Sequence, residues 1–210
     1  MFWVGLTCRL PRYFFFMNKR RCVEYAEFFE LQRPLGPLAH CRFAFIFGAP
    51  GTGKTSLALD FARLVADEDG IFAFYMKGPN KWWDGYLGQK TVVMDEADPE
   101  SWADLESLLK VWGDRYAFVA EVKGGSRKIL PEWFIVTSNY TLEELTRRDE
   151  DAAFFDAMWR RAGDGERVFN MDTMGQYRPQ SIWSLLREEE RRMYEDVFGA
   201  FVEKMHDDRI

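Results

Sequence analysis

The sequence has little of what metal centres and disulfide frameworks are built from. It contains three cysteines and two histidines in 210 residues. Cys8, Cys22 and Cys41 show no C-x-x-C spacing, and His40 and His206 lie far apart. The pattern predicts neither a Cys/His metal cluster nor a disulfide-stapled fold, and it favours a reducing compartment.

Long apolar runs are also missing. A membrane-spanning helix needs roughly 18 consecutive apolar residues. The most apolar stretch, residues 1–16, is interrupted by Arg9, Pro11 and Arg12. We therefore expect a soluble, intracellular protein without a membrane partner. The sequence also shows no internal repeat and no low-complexity tract, which argues against a repeat architecture.

Basic residues outnumber acidic residues only in the first quarter of the chain. The formal net charge is −6, but residues 1–54 carry +5 and the remainder carries −11. An acidic chain does not coat nucleic acid by bulk charge, so any such contact must come from local basic loops.

The length and composition fit one domain with appended elements. The chain is 47% hydrophobic, which is enough for a buried core. Residues 1–40 are expected to form an aromatic and basic N-terminal segment with a short helix and a linker, residues 41–172 the main domain, and residues 173–210 a charged C-terminal helix. That helix is expected to pack one face on the core, and the alternative is a partner-binding helix.

Apolar strands alternate with helices along the main domain. This alternation predicts an α/β fold with a mostly parallel sheet flanked by helices. The predicted strands cover residues 43–47, 71–75, 92–95, 118–122, 128–130, 133–137 and 168–169, and the predicted helices cover residues 55–66, 99–112, 152–161 and 181–206. Residues 123–126, Lys-Gly-Gly-Ser, are predicted to form a hairpin tip between two of the strands.

A phosphate-binding loop follows the first predicted strand. The segment GAPGTGKT satisfies G-x-x-x-x-G-K-[ST] between an apolar strand and a helix. Its glycines let backbone N–H groups turn toward phosphates. Lys54 is predicted to reach the β- and γ-phosphates of a nucleotide, and the Thr55 hydroxyl is predicted to bind a Mg²⁺ ion. A glycine-rich turn that matches by chance is the alternative. The nucleotide-contacting residues are Gly48, Ala49, Pro50, Gly51, Thr52, Gly53, Lys54, Thr55 and Ser56.

Two further strand ends carry polar residues suited to the same chemistry. Asp95 and Glu96 follow an apolar strand, and Asn139 follows another. Asp95 is predicted to hold Mg²⁺ through water, Glu96 to polarise the attacking water, and Asn139 to hydrogen-bond the γ-phosphate. In isolation, an acidic strand end is more often a solvated cap, and an asparagine there can be a simple turn residue.

The letters Asp95-Glu96-Ala97-Asp98 spell the signature of a class of two-lobed RNA helicases. Such a motor needs two domains of this size, whereas this chain fits one. Asp95 lies 41 residues after Lys54, a short interval with room for one helix and one strand. We therefore interpret the DEAD spelling as coincidence.

The motifs together resemble a known family. The phosphate loop is followed by KWWDGYLG at 81–88, VVMDE at 92–96, DRY at 114–116, EVKGG at 121–125 and VTSN at 136–139. This order resembles the superfamily 3 helicase domain of Rep, the replication initiator of circular single-stranded DNA viruses of the circovirus type. The match runs from about Arg42 to Arg161.

The resemblance implies an AAA+-like P-loop ATPase that forms rings, often hexameric, and moves on single-stranded DNA. It implies that Lys54, Asp95, Glu96 and Asn139 act in ATP hydrolysis, and that Lys123 is a pore-loop residue touching the DNA backbone. Arg160 and Arg161 resemble paired arginines of the family, one of which would reach a neighbouring subunit's γ-phosphate as an arginine finger. Exposed helical arginines are the alternative. The residues expected to contact nucleic acid are Lys123, Gly124, Gly125, Arg127 and Lys128.

The chain also departs from the family. Ala117 stands where a proline usually follows DRY, and Glu96 replaces the commoner second aspartate. Full Rep proteins carry an N-terminal endonuclease with a paired-histidine metal site and a tyrosine-x-x-lysine motif, whereas no tyrosine in residues 1–40 has a lysine three positions on. We therefore expect no DNA nicking by this chain.

Two alternative functions stay open on sequence grounds. RNA could replace DNA as the substrate, as in helicases of the calicivirus or picornavirus type, or the chain could be a nucleotide-dependent oligomerisation module without translocation.

Trp82 and Trp83 could stack on bases, but we interpret them as structural because adjacent tryptophans beside an apolar strand more often pack a loop on the core. If the protein is a viral Rep, the host nucleus is its expected location.

Overall fold

The computed structural model describes residues 25, 28–29, 31–32, 34–40, 42–66, 73–147, 151–181 and 186–206. Most of the predicted N-terminal helix and the start of the strand predicted at 71–75 lie outside the described residues. No helix in the described part of the chain is both long and apolar enough to cross a membrane.

A five-stranded sheet forms the centre of the domain. Its strand order is β2-β3-β6-β1-β7, and every neighbouring pair is parallel. The order places β6 between β1 and β3, so the carboxyl ends of these three strands meet at one edge. The strands in the described part of the chain are β1 Phe43–Phe47, β2 Phe74–Lys77, β3 Thr91–Ala97, β4 Phe118–Val122, β5 Gly125–Ile129, β6 Trp133–Ser138 and β7 Val168–Asn170. The α/β class and the mostly parallel sheet predicted from the sequence are confirmed.

Helices cover both faces of the sheet. They are α1 Lys54–Ala66, α2 Pro99–Asp104, α3 Glu106–Trp112, α4 Leu142–Leu145, α5 Ala152–Arg161, α6 Met171–Met174 and α7 Glu188–Met205. The central strands are buried on both faces and therefore read as continuous apolar runs such as FAFIF and WFIVTS.

The alternation of side chains along each strand divides the core in two. Phe43 and Phe45 point to a cluster with α2, α3, α5 and the hairpin β4–β5. Ala44 and Ile46 point to the opposite cluster, which includes α1 and α7. The hairpin and the C-terminal helix consequently pack on opposite faces of the sheet.

The helix predicted over residues 99–112 is two helices. Asp98 caps α2 by accepting from the N–H groups of Glu100 and Ser101, and hydrogen bonds from Ser101 hold the pKa of Asp98 below its ordinary value. The chain then turns at Leu105, whose φ and ψ are −106° and 4°, before α3 begins. No glycine or proline marks this break in the sequence.

The C-terminal helix packs on the core. Tyr194, Val197, Phe201 and Met205 are its buried residues, at intervals of three and four. The prediction of an amphipathic helix against the domain is confirmed, although the helix begins at Glu188 and residues 182–185 are outside the described part of the chain.

Candidate active site and hairpin

The phosphate-loop segment connects β1 to α1 in a conformation that requires glycine. Gly51 and Gly53 have φ values of +79° and +98°. A side chain at Gly53 would meet the Tyr177 carbonyl oxygen at 2.2 Å. Ala49, Pro50 and Gly51 are exposed, so the loop faces solvent on one side.

Lys54 is folded back into this loop. Its ammonium donates to the carbonyl oxygens of Gly48 (2.8 Å) and Ala49 (2.9 Å) and to Asn139 Oδ1 (2.9 Å). Burial lowers the pKa of Lys54, and the negative charges of Asp172, Asp95 and Glu96 oppose that shift. The structure thus brings Lys54 and Asn139 together, although they are 85 positions apart.

Asp95 lies beside the first turn of α1. Its Oδ1 accepts a hydrogen bond of 2.7 Å from the Thr55 hydroxyl and one of 2.5 Å from the Thr137 hydroxyl. A threonine hydroxyl and a carboxylate are hard oxygen donors of the kind that Mg²⁺ prefers, so the pair fits a magnesium site completed by phosphate oxygens and water.

Glu96 has a left-handed backbone conformation, with φ +54°. Its N–H donates to Thr137 Oγ1 at 3.1 Å, and the pairing of β3 with β6 shifts register between Met94 and Ala97. A bulge of this kind re-aims side chains at a strand end. The exposed Glu96 carboxylate is therefore turned out of the strand beside Asp95.

Thr137 and Asp172 are site residues that the sequence reasoning missed. Thr137 joins Asp95 to the backbone of Glu96, but a threonine inside an apolar strand reads as ordinary core. Asp172 Oδ1 accepts from the Ala49 N–H at 2.9 Å across 123 positions of sequence, and no motif signals that contact.

Tyr177 is a further residue that the sequence reasoning missed, and it holds the phosphate loop. Tyr177 donates its N–H to the Thr52 carbonyl (2.8 Å) and its hydroxyl to Asp60 Oδ2 (2.9 Å). Burial raises the pKa of the Tyr177 phenol, and Asp60 adds to that shift. A carboxylate in the buried face of α1 was the available signal, because buried aspartates are almost always paired.

The predicted tip residues lie on a short antiparallel hairpin. Strands β4 and β5 pair from Phe118 with Ile129 to Val122 with Gly125, so the turn is Lys123-Gly124 rather than the four residues predicted. The Lys123 side chain is 81% exposed. Gly125, Arg127 and Lys128 lie within β5.

The two tryptophans of KWWDGY have different environments. Trp83 is fully buried against Tyr75, Trp112 and Phe118, which confirms the structural interpretation for this residue. Trp82 is 37% exposed, and the Lys81 ammonium lies 4.7 Å from its ring centroid.

The two candidate finger arginines also differ. Arg161 is buried and forms an ion pair of 2.7 Å with Asp114. Arg160 is exposed on the same helix. Of the two side chains, Arg160 is the one directed to solvent.

The fold and the loop define a P-loop nucleoside triphosphatase domain. Residues 44–140 match the family model described as RNA helicase. The replication-associated protein of human associated cyclovirus 1 is 31% identical over 131 residues, which are 61% of this chain and 45% of that protein. The goose circovirus protein of the same name is 36% identical over 116 residues (55% and 35%), and that of porcine circovirus 2 is 38% identical over 96 residues (46% and 28%).

These similarities confirm the resemblance that the motifs gave. The chain is similar to the replication-associated proteins of a cyclovirus and of circoviruses. The chain spans less than half the length of these relatives.

Proposed function

We propose that this chain is an ATP-dependent DNA translocase of the viral Rep type, which hydrolyses ATP with Mg²⁺ and moves on single-stranded DNA. The observation that carries the proposal is the meeting of three strand ends. Lys54 contacts Asn139 at 2.9 Å, and Thr55 contacts Asp95 at 2.7 Å. Residues at the carboxyl ends of β1, β3 and β6 thus lie close together, which supports their joint action on one phosphate group.

Each residue of this cluster has a chemical task in the proposal. The backbone N–H groups of the loop and Lys54 would bind the phosphates. Thr55 and Asp95 would hold Mg²⁺, which neutralises charge on the phosphate oxygens. Glu96 would orient and polarise the attacking water, and Asn139 would hydrogen-bond the γ-phosphate and that water.

The nucleic acid would be bound by the hairpin. An exposed lysine beside a glycine turn can follow a phosphate when the subunit changes state, and it supplies local positive charge on a chain whose net charge is negative. Lys123 and Gly124 would form the contact, with Gly125, Arg127 and Lys128 behind them.

The proposal assigns residues 41–172 to the ATPase domain, residues 1–40 to an N-terminal segment and residues 173–210 to a C-terminal charged helix. The active form would be a homo-oligomeric ring, with Arg160 reaching a neighbouring subunit's nucleotide. No DNA-nicking step is assigned to the chain.

Steady-state ATP hydrolysis at low salt tests the proposal. The protein is assayed with and without single-stranded DNA, and Lys54→Ala excludes contaminating ATPases. Turnover that depends on Lys54 and rises with DNA is the expected result. Turnover that is the same with and without nucleic acid would overturn translocation. The chain would then be an ATPase or an oligomerisation module.

RNA is the second candidate substrate, because the matching family model is described as RNA helicase. A homopolymeric RNA is compared with the DNA strand of the same sequence and length in the same assay. Stimulation by RNA alone would replace DNA with RNA in the proposal and leave the assignments in the nucleotide site unchanged.

A further inference from the structure

The hairpin β4–β5 is held by the preceding segment Lys81–Tyr86, which we name the brace. The Trp83 N–H donates to the Glu121 carbonyl at 3.0 Å, and the Lys81 ammonium meets the Glu121 carboxylate at 2.7 Å. The Arg127 guanidinium donates to the Tyr86 carbonyl at 2.5 Å. The brace therefore contacts both strands of the hairpin.

The turn at the hairpin tip is not the kind that strand twist favours. Two-residue hairpin turns prefer a positive φ at the first turn residue. Here Gly124, the second residue, has φ +90°, and Lys123 is not among the described non-glycine residues with positive φ. This arrangement matches a type II turn, which splays the strands and gains from outside support.

Asp84 of the brace gives that support. Its Oδ1 accepts the Lys123 N–H at 2.7 Å, and its Oδ2 lies 3.9 Å from the Lys123 ammonium. Its own carbonyl accepts from the Tyr75 hydroxyl at 2.8 Å, which links the brace to β2. Asp84 thus holds the backbone of the tip and also places its carboxylate near the ammonium of Lys123.

The two contacts differ in strength. The hydrogen bond to the backbone is short, whereas the ion pair is long and its side chains are 81% and 41% exposed. A solvent-screened pair of this kind is weak, so a phosphate oxygen can take the place of the carboxylate at the lysine. The backbone contact can persist while the ion pair exchanges.

We propose that Asp84 is the positioning residue of the nucleic-acid-contacting tip. Its carboxylate fixes the Lys123 backbone and serves as the counter-ion that a backbone phosphate of a single strand displaces. The displacement rests on the proposed function, since it assumes that the tip meets nucleic acid. The fixing of the tip does not.

Hydrogen exchange of the Lys123 amide tests the positioning role directly. Asp84→Asn keeps an oxygen acceptor, and Asp84→Ala removes it. We expect exchange at least about fivefold faster in the alanine variant and close to wild type in the asparagine variant. Unchanged exchange in Asp84→Ala would overturn the positioning role.

Binding of a fluorescein-labelled oligothymidylate, followed by anisotropy at low and high salt, tests the displacement. Asp84→Asn removes a charge that repels phosphate, so we expect about two- to fivefold tighter binding at low salt and no difference at high salt. The gain should vanish in the Lys123→Ala background. Glu203→Gln, on α7 at the opposite face of the sheet, is the matched control for loss of one negative charge.

Two results would contradict the displacement. One is an Asp84→Asn variant whose binding of the DNA strand is weakened as much as that of Asp84→Ala. The other is wild-type protein that binds no strand, which overturns the proposed function together with the displacement. In the second case the exchange measurement still decides the positioning role.

Discussion

At the scale of single residues, one oxygen atom accepts two of the hydrogen bonds at the proposed magnesium site. Asp95 Oδ1 accepts from Thr55 and from Thr137, and the Thr137 hydroxyl also accepts the Glu96 N–H. The hydroxyl of Thr137 therefore connects both carboxylate residues of the strand end. Partners of this kind orient the residues that touch a metal.

Replacing Thr137 with valine should lower kcat for ATP about 10- to 100-fold, because Asp95 loses a donor and the Glu96 backbone loses its acceptor. Thr137→Ser keeps the hydroxyl and should restore most of the rate. Steady-state kinetics of the three proteins check this. A valine variant with wild-type kcat would show that the hydroxyl does not orient the pair.

Asp172 places a negative charge at the phosphate loop. It accepts from the Ala49 N–H, and it is the strongest of the charges that raise the pKa of Lys54 against the effect of burial. Asp172→Asn keeps the acceptor and removes the charge, so we expect about 2- to 10-fold tighter nucleotide binding at low salt, on the order of 1 kcal/mol. Titration with a fluorescent ATP analogue measures it.

The same titration on Asp172→Ala separates charge from hydrogen bonding. The alanine variant also loses the contact with Ala49, and its affinity should fall below that of the asparagine variant. Equal affinity in all three proteins would mean that Asp172 does not influence nucleotide binding.

The sequence predicted the site residues that belong to motifs and missed those that do not. Lys54, Thr55, Asp95 and Asn139 were expected near one another because parallel strands end at one edge, and the structure brings them within hydrogen-bonding distance. Asp172 contacts the loop from 123 positions away. Only the fold can reveal a contact of that range.

At the scale of helices and strands, prediction succeeded where apolar periodicity was strong. The bounds of β1, β4 and α5 agree with the prediction residue by residue. Two four-residue helices, α4 and α6, were missed because they carry too few residues for a period. Their capping residues, Thr141 with Glu144 and Asn170, were the only local signals.

Strand β2 was misplaced for a different reason. It was predicted at 71–75 but is described as Phe74–Lys77, and it ends in a lysine that is 2% exposed. The Lys77 ammonium donates to the carbonyls of Gly78 (2.8 Å) and Asn80 and lies 4.8 Å from the Trp112 ring centroid. A lysine normally marks the solvated end of a strand, so the sequence gave no sign of its burial.

We expect Lys77 to make the free energy of unfolding depend on pH. Burial lowers the pKa of Lys77 from 10.5 to about 8. Between these values the unfolded chain holds more protons, so the free energy of unfolding should rise with pH, by up to about 3 kcal/mol in total. Below pH 8 the cost of the buried charge is fully present.

Urea unfolding at several pH values between 7 and 10 measures this dependence. Lys77→Met has no group to titrate there, and its stability should lack this rise. Parallel curves for the two proteins would show that Lys77 keeps its ordinary pKa.

At the scale of the whole molecule, the proposed ring distinguishes the two neighbouring arginines. Arg161 is paired with Asp114 inside the subunit, and Arg160 is exposed. An arginine that acts on a neighbouring subunit must reach outside its own chain. Arg160 is therefore the better candidate for the finger, and Arg161 for a structural role.

Mixing experiments separate these roles. Arg160→Ala and Lys54→Ala subunits, each expected to lack ATP turnover alone, should regain turnover when mixed, because the intact phosphate site of an Arg160→Ala subunit then meets the intact Arg160 of a Lys54→Ala neighbour. Arg161→Ala should instead lower the free energy of unfolding by about 1–3 kcal/mol, as the ion pair to Asp114 is lost. A mixture of the two variants that shows no turnover would argue against a finger at this position.

The brace also has a consequence for inheritance. Residues 81–86 and 118–129 are separate stretches of gene, but they fold into one mechanical unit through Asp84, Glu121 and Arg127. A recombination event with its breakpoint between them joins a brace from one parent to a hairpin from another. Such a chimera keeps a complete phosphate loop, but the ion pair between Lys81 and Glu121 forms only if both parents carry matching partners, so we expect the two stretches to be inherited together.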